Sequence, residues 1–329
     1  MTEDNANREI GFWRGWSIAV GCAIGSGVFM MPTLLAPYGL LGLGGWLVAG
    51  AGTLLVALSL SRLVKRVPKI GGPYAYVNAG LGNLAGFLVA WTYWISCIAA
   101  VSGIAIAFVG YLGVFIPAVT NSSILSLLVS LALVWSVIGM NIRSIESSGA
   151  FQVVTTALKI LPLLFIIVLG FSNMQPEILP PVNPTDLHPF AVLATATTLV
   201  MWSFIGIETA TVPADNIYQP DKTIPKILIA SLLTVLVIYF LVSLAIALVV
   251  PADELIGSSA PFALAATKIM GPVGGAIITV GALISTLGSL NANTLTAGQV
   301  PLAAAKDHLL PKKFLTLSRT GTPIFSFVI

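Results

Sequence analysis

Charge is what this sequence lacks most. Only 8% of its 329 residues are Asp, Glu, Lys or Arg, against about 25% in an ordinary soluble domain. So small a share cannot cover a water-soluble globule, and a mean hydropathy of +0.99 puts apolar residues in excess along the whole chain rather than in one core. The bilayer is therefore its solvent. Cysteine is nearly absent too. Cys22 and Cys97 each lie inside an apolar run, which leaves no disulfide framework and no CxxC metal pair. The two histidines, His188 and His308, fall between such runs without metal-ligand spacing. No metal and no other cofactor is expected. The basic residues, 15 against 12 acidic, are scattered, so the clustered basic face that a nucleic-acid partner needs is missing.

What is present is apolar length. Runs near 20 residues, enough to cross about 30 Å of hydrocarbon, recur near 12–37, 40–61, 83–117, 123–141, 151–171, 190–213, 227–250 and 272–300, with 323–329 opening another. The first run is too long for a signal peptide and ends without a small-residue cleavage pattern, so it stays as a span. Thirteen of the fifteen basic residues fall on alternate loops beginning with the N-terminus; Lys268 lies on the other side and Lys159 inside the fifth span. Because Lys and Arg in short loops are held in the cytoplasm, the expectation is a multi-pass inner-membrane protein with a cytoplasmic N-terminus. The apolar string 323–329 leaves no room for another crossing, so the chain is expected to be a fragment of a longer one.

Two spans carry a break signal. Span 1 holds Gly21, Gly25, Ser26 and Gly27 at its middle. Such a cluster either unwinds the helix around a polar cavity or lets another helix pack closely. Span 6 repeats the signal in Trp202-Ser203-Phe204-Ile205-Gly206-Ile207-Glu208. Two breaks five spans apart predict two five-helix units of opposite orientation, the inverted repeat of secondary transporters. The first unit would run over 12–171, and an incomplete second over 190–329, within a single membrane domain. The free N–H groups of a half-helix favour an anion and the freed carbonyls a cation, so a zwitterionic amino acid or a related amine fits both.

Ionisable residues inside spans are costly and tend to be functional. Glu208 is either wet at the cytoplasmic end of span 6 or a proton-titrated gate. Lys159 lies eight residues into span 5, about 12 Å along the helix; it either snorkels to the surface or turns inward to bridge other helices. An inward amine would fill space that a sodium ion takes in other transporters of this plan. Tyr93, Trp94 and Trp202 are aromatic candidates for lining and closing the site, with core packing as the alternative for each.

The strings Gly-Ser-Gly-Val-Phe at 25–29, Gly-Gly-Pro-Tyr-Ala-Tyr at 71–76, Trp-Ser-Phe-Ile-Gly-Ile-Glu at 202–208 and Ala-Pro-Phe at 260–262 occur in order. Together with segments 216–225 and 303–311 they make the sequence resemble the amino acid–polyamine–organocation transporters. The closest look is to the bacterial basic amino acid/polyamine antiporters of the arginine/agmatine exchanger type. The resemblance implies an all-α integral membrane fold: a twelve-helix bundle with a five-plus-five inverted repeat and broken helices 1 and 6, of which about eight spans are here. It also implies that the backbone at Ala23, Ile24, Ser26 and Gly27, around Gly25, receives the substrate carboxylate. Trp202 and Ile205 would flank the α-amino group, and Ser96 and Cys97 would line the site. Glu208 matches the acidic residue of proton sensing, with Tyr93 as its gating neighbour; the tyrosine expected on the tenth helix would lie beyond Ile329. Two departures concern the cargo. Val101 and Asn293 stand where the arginine/agmatine exchangers have an asparagine and a tryptophan, and Lys159 looks like the span-5 lysine of proton-coupled amino acid transporters.

The reading is therefore alternating-access transport of amino acids or decarboxylated amines, by exchange or proton coupling, with the arginine/agmatine or polyamine antiporter as the narrower alternative. Beyond the lipid bilayer and a small-molecule substrate, it admits protons and a second copy of the chain, as a homodimer, as partners. A membrane enzyme lacks a catalytic set gathered at one depth, a channel lacks a filter loop or charge ring, and an inactive fragment of a larger assembly stays open. No catalytic residue is assigned.

Overall fold

A computed structural model describes residues 10–67, 72–143, 149–211, 217–317 and 323–328. Its helices, in chain order, are α1 (Phe12–Ala23), α2 (Ser26–Leu35), α3 (Gly39–Arg66), α4 (Pro73–Leu81), α5 (Asn83–Leu112), α6 (Pro117–Asn121), α7 (Ser123–Arg143), α8 (Gly149–Ser172), α9 (Pro189–Met201), α10 (Pro220–Ala247), α11 (Ala252–Leu255), α12 (Pro261–Lys306) and α13 (Ile324–Val328). Five of the starts, at Pro73, Pro117, Pro189, Pro220 and Pro261, place proline where its missing N–H costs nothing. Among the described residues the only β-type pairings are two isolated bridges. The protein is an all-α membrane protein.

The eight apolar runs appear in this order with two refinements. Span 1 is split into α1 and α2, and span 8 extends back to Pro261, with Gly271 at φ +71° turning the chain between two helical stretches. Among the described residues, six helical stretches are long and apolar enough to cross a membrane, one of them running from α2 into α3, and the fifth run contributes a shorter apolar stretch over Thr156–Ser172. The short α4, between spans 2 and 3, carries the 73–76 part of the Gly-Gly-Pro-Tyr-Ala-Tyr string.

Helix contacts follow small residues, as lipid-solvated bundles require. A Cβ on Gly45 of α3 would stand 2.8 Å from the Ala196 carbonyl carbon of α9, and one on Gly50 would stand 2.7 Å from Leu236 of α10. The core is centred on Trp46, whose ring meets Tyr239 at 5.1 Å and Phe204 at 5.8 Å, and whose Nε1 donates to Ser243 Oγ at 3.1 Å. Leu127, Leu128, Leu131 and Trp135 of α7 all point outward, the lipid-facing apolar surface of a membrane helix.

Candidate functional site

The site is built from two interruptions. α1 stops at Ala23, and Ile24 (φ −73°, ψ 92°) and Gly25 (φ −137°, ψ −150°) leave helical geometry before α2 begins. After α9 a 3₁₀ turn spans Trp202–Phe204, Ile205 is extended, Gly206 takes φ +113°, and a second 3₁₀ turn covers Ile207–Thr211. The two breaks touch: a Cβ on Gly206 would lie 3.0 Å from both the Ala23 nitrogen and the Cys22 carbonyl carbon. Of the two sequence alternatives for the span 1 glycines, the structure has the unwinding one, and Gly27 adds close packing, since its Cβ would lie 2.5 Å from Ser203 Oγ.

Three carbonyls around the end of α1, those of Gly21, Ala23 and Ile24, accept from side chains of other helices. Lys159 Nζ donates to Gly21 O at 2.7 Å and to Ser289 Oγ at 3.0 Å. Ser289 Oγ passes a bond on to Ile24 O at 2.7 Å. Tyr239 OH donates to Ala23 O at 2.6 Å. Lys159 is 2% exposed, so it faces inward and bridges α1 and α12; the snorkelling alternative is not what the structure has.

Glu208 is held from both sides. Oε2 accepts from the Gly206 N–H at 2.9 Å and Oε1 from Tyr93 OH at 3.0 Å. Thr209 Oγ1 closes the same turn by donating to Gly206 O, and Thr211 Oγ1 donates to Glu208 O at 2.7 Å. These bonds fix the Glu208 side chain to α5 and to the span 6 break together.

Between these elements lies a small cavity lined by Cys22, Tyr93, Cys97, Ile205, Gly206, Thr209, Ala292, Asn293 and Thr296. Four residues named from sequence, Tyr93, Cys97, Ile205 and Asn293, line it. Ala23, Ile24, Gly25 and Gly27 form the adjoining break, with Ser26 opening α2. Ser96 is not among the lining residues; its hydroxyl donates to Tyr93 O at 2.7 Å on its own helix. Trp202 stands beside the break with its ring 3.6 Å from where a Gly103 Cβ would be. Trp94 is core, packed at 5.6 Å against Phe314. Sequence reasoning missed Ser289, Tyr239, Thr209 and Thr296, because a lone hydroxyl in an apolar helix ordinarily bonds its own i−4 carbonyl. Thr279, Thr286 and Thr294 do that. Some serines escape that pattern: Ser289 bridges helices, and Ser203 Oγ, beside the α2 start, is among several buried serine hydroxyls with no hydrogen-bond partner among the described residues.

Away from the breaks, Tyr74 OH of α4 donates to Asp307 Oδ2 at 2.5 Å just past α12. Burial first, and the Asp307 carboxylate second, push the Tyr74 phenol above its ordinary value.

Two helices broken side by side at mid-bundle, with a polar cavity at the breaks and an all-helical apolar exterior, define a secondary transporter of the broken-helix class. The amino acid permease family matches residues 10–329, and the chain belongs to it. It is 28% identical to an arginine/ornithine antiporter of Latilactobacillus sakei over 100% of this chain and 71% of that protein. It is 31% identical to one of Pseudomonas aeruginosa, over 90% and 63%. Putrescine transporter PotE of Escherichia coli K12 is 27% identical over 92% and 69%.

Proposed function

We propose that this protein carries α-amino acids or their decarboxylated amines across the inner membrane by exchange, one substrate in for one out. Secondary active transport of amino acids or amines follows from the family and its relatives. Exchange is favoured because relatives from two organisms bear the name antiporter. The structural observation behind the reading is the contact of the two breaks beside one cavity, with the start of α2 left without a side-chain cap.

In this reading the substrate carboxylate meets the first N–H groups of α2, whose N-cap Gly25 has no side chain to cap them. The unpartnered Ser203 hydroxyl stands beside them. The ammonium lies against the Trp202–Ile205 carbonyls, covered by an aromatic ring. Glu208 with Tyr93 forms the cytoplasmic-side gate and responds to protons, while Lys159 holds the α1 end and couples it to α12. Two inverted five-helix units, 12–171 and 190 onward, rock about these breaks. The N-terminus is cytoplasmic, a homodimer is the assembly to look for, and no chemical step is catalysed on the cargo.

Uptake of a labelled amino acid and amine panel into proteoliposomes tests this, with and without internal substrate and with an imposed pH gradient. Uptake that requires internal substrate supports exchange. A pH gradient sufficient by itself replaces exchange with proton symport, and no uptake under any condition refutes the reading.

A further inference from the structure

The chain has two cysteines in 329 residues, and both line the same cavity. They come from different elements. Cys22 is in the last turn of α1, next to Gly21, whose carbonyl Lys159 holds. Cys97 lies one turn beyond Tyr93 on α5 and is 4% exposed, while Cys22 is partly exposed. Both are free thiols. The same cavity is also lined by Ile205, Gly206 and Thr209 of the span 6 break. Two thiols thus stand where the amine or amino acid is proposed to bind, with Glu208 beside the same break.

We propose that the cavity is a covalent modification site for small disulfides that carry an amine or amino acid group, with Cys22 as the thiol first attacked and Cys97 as the thiol facing it. Such a ligand brings the ammonium that the site is built to draw in, and a disulfide bond in place of inert carbons. The Cys22 thiol loses its proton to water and its thiolate attacks one ligand sulfur. A sulfur–sulfur bond forms between Cys22 and that half of the ligand. The ligand's own disulfide breaks, and its other half leaves as a thiolate that takes up a proton. Cys22 is oxidised to a mixed disulfide and one ligand sulfur is reduced to a thiol. The adduct occupies the small cavity and ties a group to α1 against α5, so the breaks cannot reshape around a substrate. An added thiol reverses the step.

Recruitment of the disulfide rests on the amine-binding reading; the reactivity of the two thiols does not, and the experiment separates them. Purified protein in proteoliposomes is treated with cystamine, the disulfide of an aminothiol, and then read by intact mass, peptide mapping and uptake. The expected result is one cysteamine adduct, mapped to Cys22 before Cys97, with loss of uptake that dithiothreitol restores. Excess transported amino acid should slow adduct formation. An uncharged disulfide of equal length should react at least several-fold more slowly. Cys22→Ser should form the adduct only at Cys97 and slowly, Cys97→Ser should still form it at Cys22, and whatever uptake each variant retains should follow its own adduct. Absence of any adduct in the folded wild-type protein overturns the proposal, as does an adduct that leaves uptake untouched. An adduct that forms with equal speed for charged and uncharged disulfides, and without substrate protection, keeps the thiols reactive but overturns recruitment through the amine site. A protein that transports nothing but is labelled with charge preference refutes the transport reading and leaves the modification site standing.

Discussion

Lys159 shows how much one residue can tie together. Its ammonium bonds a carbonyl of α1 and a hydroxyl of α12, and hydrogen bonds to charged groups are worth about 1.5–3 kcal/mol each. Lys159→Ala should leave Gly21 O and Ser289 Oγ without this partner and loosen the α1 end, so uptake should fall by about tenfold or more while size-exclusion elution stays that of the folded protein. Near-normal uptake would remove the coupling role. Glu208→Gln keeps an oxygen for Tyr93 or for the Gly206 N–H and removes the titratable charge. Its uptake should lose most of its pH dependence while substrate binding, read by thermal shift, persists; an unchanged pH profile would refute the gate. Both residues were legible from sequence because an ionisable group inside an apolar run is expensive. What the sequence left open was their direction. Lys159 could have reached the surface, and only the positions of Gly21 and Ser289 decide that it does not.

At the scale of the element, the breaks were legible as glycine clusters, but their contact was not, since it depends on how two distant helices approach. Gly206 is the test. Its φ of +113° suits glycine alone, and a Cβ would press on the α1 backbone at 3.0 Å. Gly206→Ala should cost about 1–3 kcal/mol in strain, lower the melting temperature and abolish uptake. A variant as stable and active as the wild type would mean the breaks need not touch. The short α4 offers a second test. Tyr74 is bonded to Asp307 as a neutral phenol, and its folded value is raised above the unfolded one near 10. The stabilisation is therefore complete below about pH 10 and is lost as pH climbs from there through the folded value. Tyr74→Phe should lower thermal stability by about 1 kcal/mol at neutral pH, and the difference from wild type should be flat from pH 5 to 9 and shrink above 10. A difference that changes across the acidic range would assign the contact to another ionisation. This helix was not foreseen, because nine residues between two long apolar runs carry too short a pattern to separate from a loop.

For the whole molecule, sparse charge and eight apolar runs were enough to specify a helical membrane protein, and the order of motifs was enough for the family. The route of side chains between helices was not available from either. Orientation has a direct test. Lys268 pairs with Glu254 at 2.7 Å at one end of the bundle, while Lys312 and Lys313 follow α12 at the other. In a background without Cys22 and Cys97, cysteines placed at 268 and 312 should be labelled by an impermeant reagent from the outside and the inside respectively; the reverse pattern would invert the topology.

The tight seam between α3 and α9 has a mechanical consequence. Where Gly45 lets its helix lie almost backbone to backbone against Ala196, there is no layer of side chains to shear, and sliding would cost the whole seam at once. α3 and α9 should therefore swing as one stiff rod. Since α9 runs straight into the 3₁₀ turn at Trp202–Phe204, any tilt of that rod is delivered to Ile205 and Gly206, which act as its wrist.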